Sequence, residues 1–168
     1  MKKYYDTKIA DFHIRLAEET DNSMILGFIK ELAEYEQLLD EVVATEDVLY
    51  DSLFVKRQAE VLIGEYKGEP IGFALFFHNF STFLGKANLY LEDLYIRPEF
   101  RGLGLGKAMF ACLAAICAER GCGRLDWWCL DWNTQSIAFY KRMGAKAMDE
   151  WTVYRVDGEE LVRLAKQL

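Results

Sequence analysis

Residues 89–107 read Leu-Tyr-Leu-Glu-Asp-Leu-Tyr-Ile-Arg-Pro-Glu-Phe-Arg-Gly-Leu-Gly-Leu-Gly-Lys, and the rest of the chain is interpreted from them. An apolar, aromatic-rich run suited to a buried strand ends at Pro98, which has no N–H to give to a ladder. A turn then reaches Gly102, Gly104 and Gly106, while Leu105, Met109, Cys112, Leu113 and Ile116 recur at helical spacing. The stretch reads strand, glycine loop, helix. The first N–H groups of such a helix lack intrahelical partners and sit at the positive end of its dipole, and glycines let a pyrophosphate approach them closely. The expected anion cradle is the backbone of Gly102, Leu103, Gly104, Leu105, Gly106 and Lys107, with Arg101 as a further charge. By themselves the glycines also fit a plain tight turn. A phosphate-binding P-loop does not fit, because Ala108 stands where a hydroxyl must follow Lys107, and a dinucleotide fingerprint does not fit where the loop runs on to Met109.

Arg101, Gly104 and Gly106 match the Arg/Gln-x-x-Gly-x-Gly/Ala signature, and on this motif the chain resembles the GNAT superfamily of acetyl-CoA-dependent N-acetyltransferases. The likeness continues through Asp131-Trp132-Asn133 and Phe139-Tyr140-Lys141-Arg142-Met143-Gly144-Ala145, blocks similar to those of the spermidine/spermine and thialysine acetyltransferases. It covers residues 25–151 and implies acetyl-CoA as cosubstrate. The implied fold is the α/β (α+β) acyl-CoA N-acyltransferase fold, a mixed, mostly antiparallel central sheet flanked by helices. Related members are commonly homodimers.

A chain of 168 residues is long enough for one domain with a core that needs neither disulfides nor metal. We expect a single domain over residues 1–168, with residues 1–11 as a polar N-terminal extension lacking the apolar core of a secretion signal. No apolar run is long enough to span a bilayer, so the expectation is a soluble cytoplasmic protein. A net charge of −7, from 27 acids and 20 bases, argues against nucleic-acid partners. It is compatible with cationic small molecules and equally with acidity that only maintains solubility. Cys112, Cys117, Cys122 and Cys129 lie in the predicted helix and the strand after it, have no metal-ligand spacing, and read as reduced packing thiols.

Alternation in Phe12-His13-Ile14-Arg15-Leu16 predicts the first strand. Asp21 or Ser23 then caps a helix whose apolar face is Ile25, Phe28, Ile29 and Leu32 and whose end is acidic, with Glu31, Glu34, Tyr35, Glu36, Asp40 and Glu41. Thr45 starts a short helix to about Phe54. Residues 61–66 and 71–78 form a hairpin around Gly68 and Pro70. Residues 79–86 read as a loop with Phe80 and Phe83, either loop packing or a ligand wall. The glycine-loop helix ends near Arg120-Gly121, a strand covers 125–130, Asn133 caps a helix over 134–142, a strand pair or bent strand covers 145–156, and a terminal helix covers 158–168.

Acetyl transfer to an amine needs a polarised thioester carbonyl, an unprotonated amine, a proton for the departing thiolate and an acceptor pocket. The resemblance assigns the carbonyl to main-chain groups of Leu94, Tyr95 and Ile96 on a bulged central strand, with Leu94 N–H as the polarising donor. It makes Tyr140 the acid for the thiolate and Asn133 a pantetheine contact. A primary amine with a pKa of about 10.4 is mostly protonated at neutral pH, and Glu92 is the candidate base, through a water. Adjacent Asp93 points to the opposite strand face and is the acceptor contact or a structural acid. The acceptor pocket of the related enzymes maps onto Tyr35-Glu36 and, less closely, onto Glu150-Trp151. The Ser81-Thr82-Phe83-Leu84-Gly85-Lys86 loop, whose Phe83 joins the acceptor set, lacks the acid of polyamine-specific members, and its Ser-Thr together with Leu130-Asp131-Trp132-Asn133 looks closer to the thialysine branch. The expected reaction is direct attack in a ternary complex on a small cationic acceptor such as a thialysine-like amino acid, diamine or polyamine. Peptide or aminoglycoside acetylation, or a non-catalytic acetyl-CoA-binding module, are the alternatives.

Overall fold

The computed structural model describes residues 4–168, in which one unit runs to Trp128 and a second is Cys129–Leu168. The first unit is built on a sheet of β1 (Tyr4–Asp6), β2 (Phe12–Leu16), β3 (Glu60–Tyr66), β4 (Glu69–Ser81), β5 (Lys86–Ile96) and β6 (Leu125–Trp127), in that spatial order. Neighbours are antiparallel except β5 and β6, which run parallel. Part of the expected N-terminal extension is therefore an edge strand, because Tyr4, Tyr5 and Asp6 find ladder partners in Arg15, Ile14 and His13.

Two helical layers cover the sheet. Helix α1 (Asn22–Tyr35) and α2 (Glu46–Tyr50), which runs on as a π-helical turn over Asp51–Val55, cover one face. Their core with the sheet joins Ile25, Leu26, Phe28, Leu49, Leu53, Val61, Ile63, Phe73, Leu75 and Tyr95. Residues of opposite strand parity face α3 (Leu105–Glu119), where a Cβ on Gly64 would stand 3.1 Å from the Met109 sulfur. The predicted apolar stripe Leu105, Met109, Cys112, Leu113 and Ile116 is buried. Asp21 does not cap α1 through its side chain. Its carboxylate accepts from Arg15 (2.6 and 2.9 Å) and from Glu18 N–H, a charge-assisted pair that outcompetes the cap.

The β3–β4 turn places Lys67 and Gly68 at positive φ, as a tight hairpin requires. The expected 79–86 loop is shorter: β4 and β5 pair out to Ser81 and Lys86, leaving only residues 82–85 as the connection. The strand expected over 125–130 stops at Trp127. In the second unit, helix α4 (Thr134–Arg142) has its expected bounds and Asn133 Oδ1 caps it by accepting from Ser136 N–H at 3.1 Å. No strand forms over 145–156 among the described residues. Trp151, Val153, Tyr154 and Val156 have strand-forming side chains but stay exposed, because a strand is made by ladder pairing and not by propensity alone. The chain ends with α5 (Gly158–Ala165).

Candidate active site

The glycine loop enters α3 through Gly102 and Gly104, both at φ 81°, a left-handed conformation costly for any residue with a Cβ. Gly104 is the N-cap and no side chain caps the helix. The first intrahelical bond runs from Ala108 N–H to Gly104 O (3.1 Å), so the N–H groups of Leu105, Gly106 and Lys107 precede the ladder. Nothing lies within 4 Å of a Cβ built on Gly102, and Gly104 meets only Ile9. Such an open, uncapped helix start fits a pyrophosphate.

The strand feeding this loop is held against α1. Arg97 donates to both Glu31 carboxylate oxygens (2.8 and 3.0 Å) and its guanidinium lies 5.0 Å from the Phe28 ring centre. One member of the acidic helix end is thus structural. Arg101, expected beside the anion, places its guanidinium over the rings of Tyr35 (4.7 Å) and Tyr95 (5.7 Å) while Nε donates to Ile96 O at 2.9 Å. Sequence gave no signal for either arrangement, since both join side chains from distant segments.

Between these features β5 bulges. Leu75 pairs with Asp93 and Phe76 with Leu91, so Glu92 is the extra residue with no partner opposite. On its other side β5 pairs with β6 only through Leu91, which leaves residues 92–96 beyond the end of that ladder. Leu94 is half-buried there, and Tyr95 and Ile96 are buried. Gly72 lies opposite Ile96, and a Cβ on it would meet Tyr95 O at 2.2 Å; sequence reasoning passed over this close approach.

Glu92 is exposed, whereas Asp93 and Glu36 are half-buried. Burial first, then the charges of Glu92 and Glu36, push the Asp93 carboxyl up to about 7. Burial also raises Glu36. The fold therefore brings Glu36 from the end of α1 to the bulge that carries Glu92 and Asp93, an acidic patch suited to an alkylammonium, while Tyr35 beside it is taken up by Arg101.

Phe83 is at the β4–β5 hairpin tip, 96% exposed. From Lys86 to Asp93 the strand rises about 23 Å at ~3.3 Å per residue, so the hairpin tip is remote from Asp93 of its own chain. In the second unit Tyr140 lies on α4 with its ring 5.2 Å from that of Phe139, and Glu150 and Trp151 are exposed. Cys112 and Cys117 are buried in α3, but Cys122 follows that helix and Cys129 lies beyond β6, outside the strand expected to hold it.

The sequence model of the Acetyltransferase (GNAT) family matches residues 15–145. The chain is 37% identical over 166 residues to a thialysine N-epsilon-acetyltransferase of Bos taurus, covering 90% of this chain and 96% of the relative. It is 30% identical over 199 residues to an L-ornithine N5-acetyltransferase of Arabidopsis thaliana, covering 91% and 87% respectively. The solved structure of an integron cassette protein from the V. cholerae mobile metagenome superposes with a TM-score of 0.78 at 27% identity, over 93% of this chain and 98% of that one. The chain belongs to the GNAT family, and is an N-acetyltransferase that uses acetyl-CoA as cosubstrate.

Proposed function

We propose that the protein acetylates a primary amine of a small cationic acceptor, a thialysine-like amino acid or short diamine, by direct attack in a ternary complex. The observation that carries this reading is the meeting of Glu36, Asp93 and Glu92 around the β5 bulge, on the strand that leads into the cradle. Relatives named for thialysine and ornithine support an acceptor with a side-chain amine.

Backbone N–H groups from Gly102 to Lys107 hold the pyrophosphate of acetyl-CoA, which supplies the activated acetyl thioester. Leu94 N–H polarises the thioester carbonyl at the open stretch of β5. The acids neutralise the acceptor's charges, and an acid at the bulge removes the ammonium proton before attack. Tyr140 is the proton donor to the leaving sulfur and Asn133 a pantetheine contact, roles that rest on their motif. Direct attack is favoured over an acyl-cysteine route because no cysteine is paired in sequence with a histidine-based activating motif, and burial pushes the Cys112 thiol in particular up to about 12. A cytoplasmic homodimer completes the proposal.

The test is thiol release from acetyl-CoA with thialysine, lysine, ornithine, putrescine, spermidine and a short peptide supplied one at a time. We expect preference for one small diamine or side-chain amine, and a Tyr140→Phe turnover at least about 100-fold lower with acetyl-CoA affinity near that of the wild type. Peptide-only activity would move the protein to another acceptor class, and acetyl-CoA binding without transfer would make it a non-catalytic binder.

A further inference from the structure

We propose that Cys117 and Cys122 form a peroxide-oxidisable dithiol, a site of reversible disulfide formation that staples the end of α3 to the connection leading into β6. The proposed acetyl transfer uses none of the chain's cysteines. What brings this pair together is the way α3 stops. Arg120 is its C-cap and Gly121 follows at φ 66°, the left-handed turn that glycine accepts without a Cβ clash. Gly121 N–H then donates to Ala118 O at 3.0 Å and Cys122 N–H to Cys117 O at 2.9 Å, the two closing bonds of a glycine-terminated helix. In that closure the side chains of the outer pair commonly meet in an apolar contact. Here both are thiols, and the Cys122 side chain acts on the Cys117 thiol through its charge and a side-chain hydrogen bond.

The 2.9 Å bond joins the two main chains directly, so their Cα atoms lie at most about 6.8 Å apart, inside the span that a disulfide bridges. Cys112, five residues before Cys117 in the same helix, points about 140° away around the axis and is no partner for it. Cys117 is buried and donates to Arg124 O at 3.4 Å, whereas Cys122 is half-buried and meets a dissolved oxidant first. Arg120, gripped by the Glu60 carboxylate, is the cation within electrostatic reach of Cys122. The Cys122 thiolate attacks one oxygen of hydrogen peroxide, the O–O bond breaks, and the released hydroxide takes up the thiol proton as water, leaving a sulfenic acid. Burial raises the Cys117 thiol, which suits it to the second step, attack on a sulfur already made electrophilic. As its proton departs the S–S bond forms, the S–O bond breaks and a second water leaves. Two thiols thereby lose two electrons and one peroxide becomes two waters; a reduced dithiol reverses the change by thiol exchange. Arg124 O then keeps the Leu89 N–H as donor at 3.0 Å, so the disulfide orphans no carbonyl.

The experiment treats the full-length wild type with a few equivalents of hydrogen peroxide, blocks the remaining thiols and maps the peptides by mass spectrometry. Half of the thiols should disappear, and the peptide holding Cys117 should be disulfide-linked to the one holding Cys122, from which trypsin separates it after Arg120. Dithiothreitol should restore all of them. Cys117→Ser should stop at a sulfenic acid on Cys122 that dimedone captures, and Cys122→Ser should give neither the link nor an adduct on Cys117. In the oxidised wild type, amide exchange over residues 117–124 should slow at least about ten-fold. Persistence of all the thiols, a link through Cys112 or Cys129, a disulfide between two copies of the chain, a dimedone adduct on Cys117 in Cys122→Ser, or unchanged exchange after oxidation would each overturn the proposal. The mapping and exchange measurements use the wild type, so they hold whether or not the variants fold, and none of the readouts depends on acetyl transfer.

Discussion

Between pH 3.8, the ordinary value of its carboxyl, and about 7, folded Asp93 keeps a proton that the unfolded chain has released. The folded state then binds more protons than the unfolded one, so this group's contribution to stability falls as pH rises through that window. The ceiling of the effect is about 4 kcal/mol, less because the carboxyl is only half-buried. Asp93→Asn removes the charge, so its stability relative to wild type should grow by about 2–4 kcal/mol between pH 4 and 8, measured as urea midpoints at both values. An unchanged difference would mean that Asp93 titrates as in a peptide. Glu36→Gln belongs to the same patch and should raise the acceptor KM about 5–10-fold with little change in kcat; an equal KM would remove Glu36 from the pocket. That 92 and 93 are adjacent acids was legible, though the opposite facing expected of them fails at the bulge, where Leu91 opposes Phe76 and Asp93 opposes Leu75. Which of them is desolvated was not, because a bulge at Glu92 and the arrival of Glu36 from 56 residues away decide it.

Among elements, the strand, glycine loop and α3 were readable because each local signal agrees with the tertiary result: Pro98 ends the strand, Gly102 and Gly104 have left-handed φ, and the 3.6-residue stripe is buried. How α1 is fixed to the end of β5 was not readable. Arg97 and Glu31 are 66 residues apart in sequence yet form a two-pronged pair above Phe28. Because both side chains are about one-third exposed, a double-mutant cycle of Arg97→Ala and Glu31→Ala should give a coupling of about 1 kcal/mol. Faster amide exchange at the C-terminal end of α1 in Arg97→Ala would locate the effect, and a coupling near zero would make the pair incidental. The stretch 145–156 shows the converse. Its side chains favour strand, but a ladder needs an available partner, and none is assigned there among the described residues.

For the whole molecule, the net charge of −7 sets the field that a substrate meets. With a dicationic acceptor, kcat/KM should fall several-fold between about 20 and 300 mM salt as the Debye length shrinks, whereas a monocationic amine should lose less. Equal salt sensitivity would show that the acids act only locally. Sedimentation tests the homodimer against the 19.5 kDa mass of one chain. No helix among the described residues is long and apolar enough to cross a membrane. By itself the sequence determined the mixed α/β class, the order of most elements, the glycine loop and the family, because these depend on local periodicity, backbone requirements and contiguous motifs. Tertiary structure alone decided the N-terminal edge strand, the bulge at Glu92, the close approach at Gly72, the seat of Arg101 on two tyrosines and the burial that separates Asp93 from Glu92. Each of these depends on ladder register or on a partner distant in the chain, and neither is encoded in any local stretch of residues.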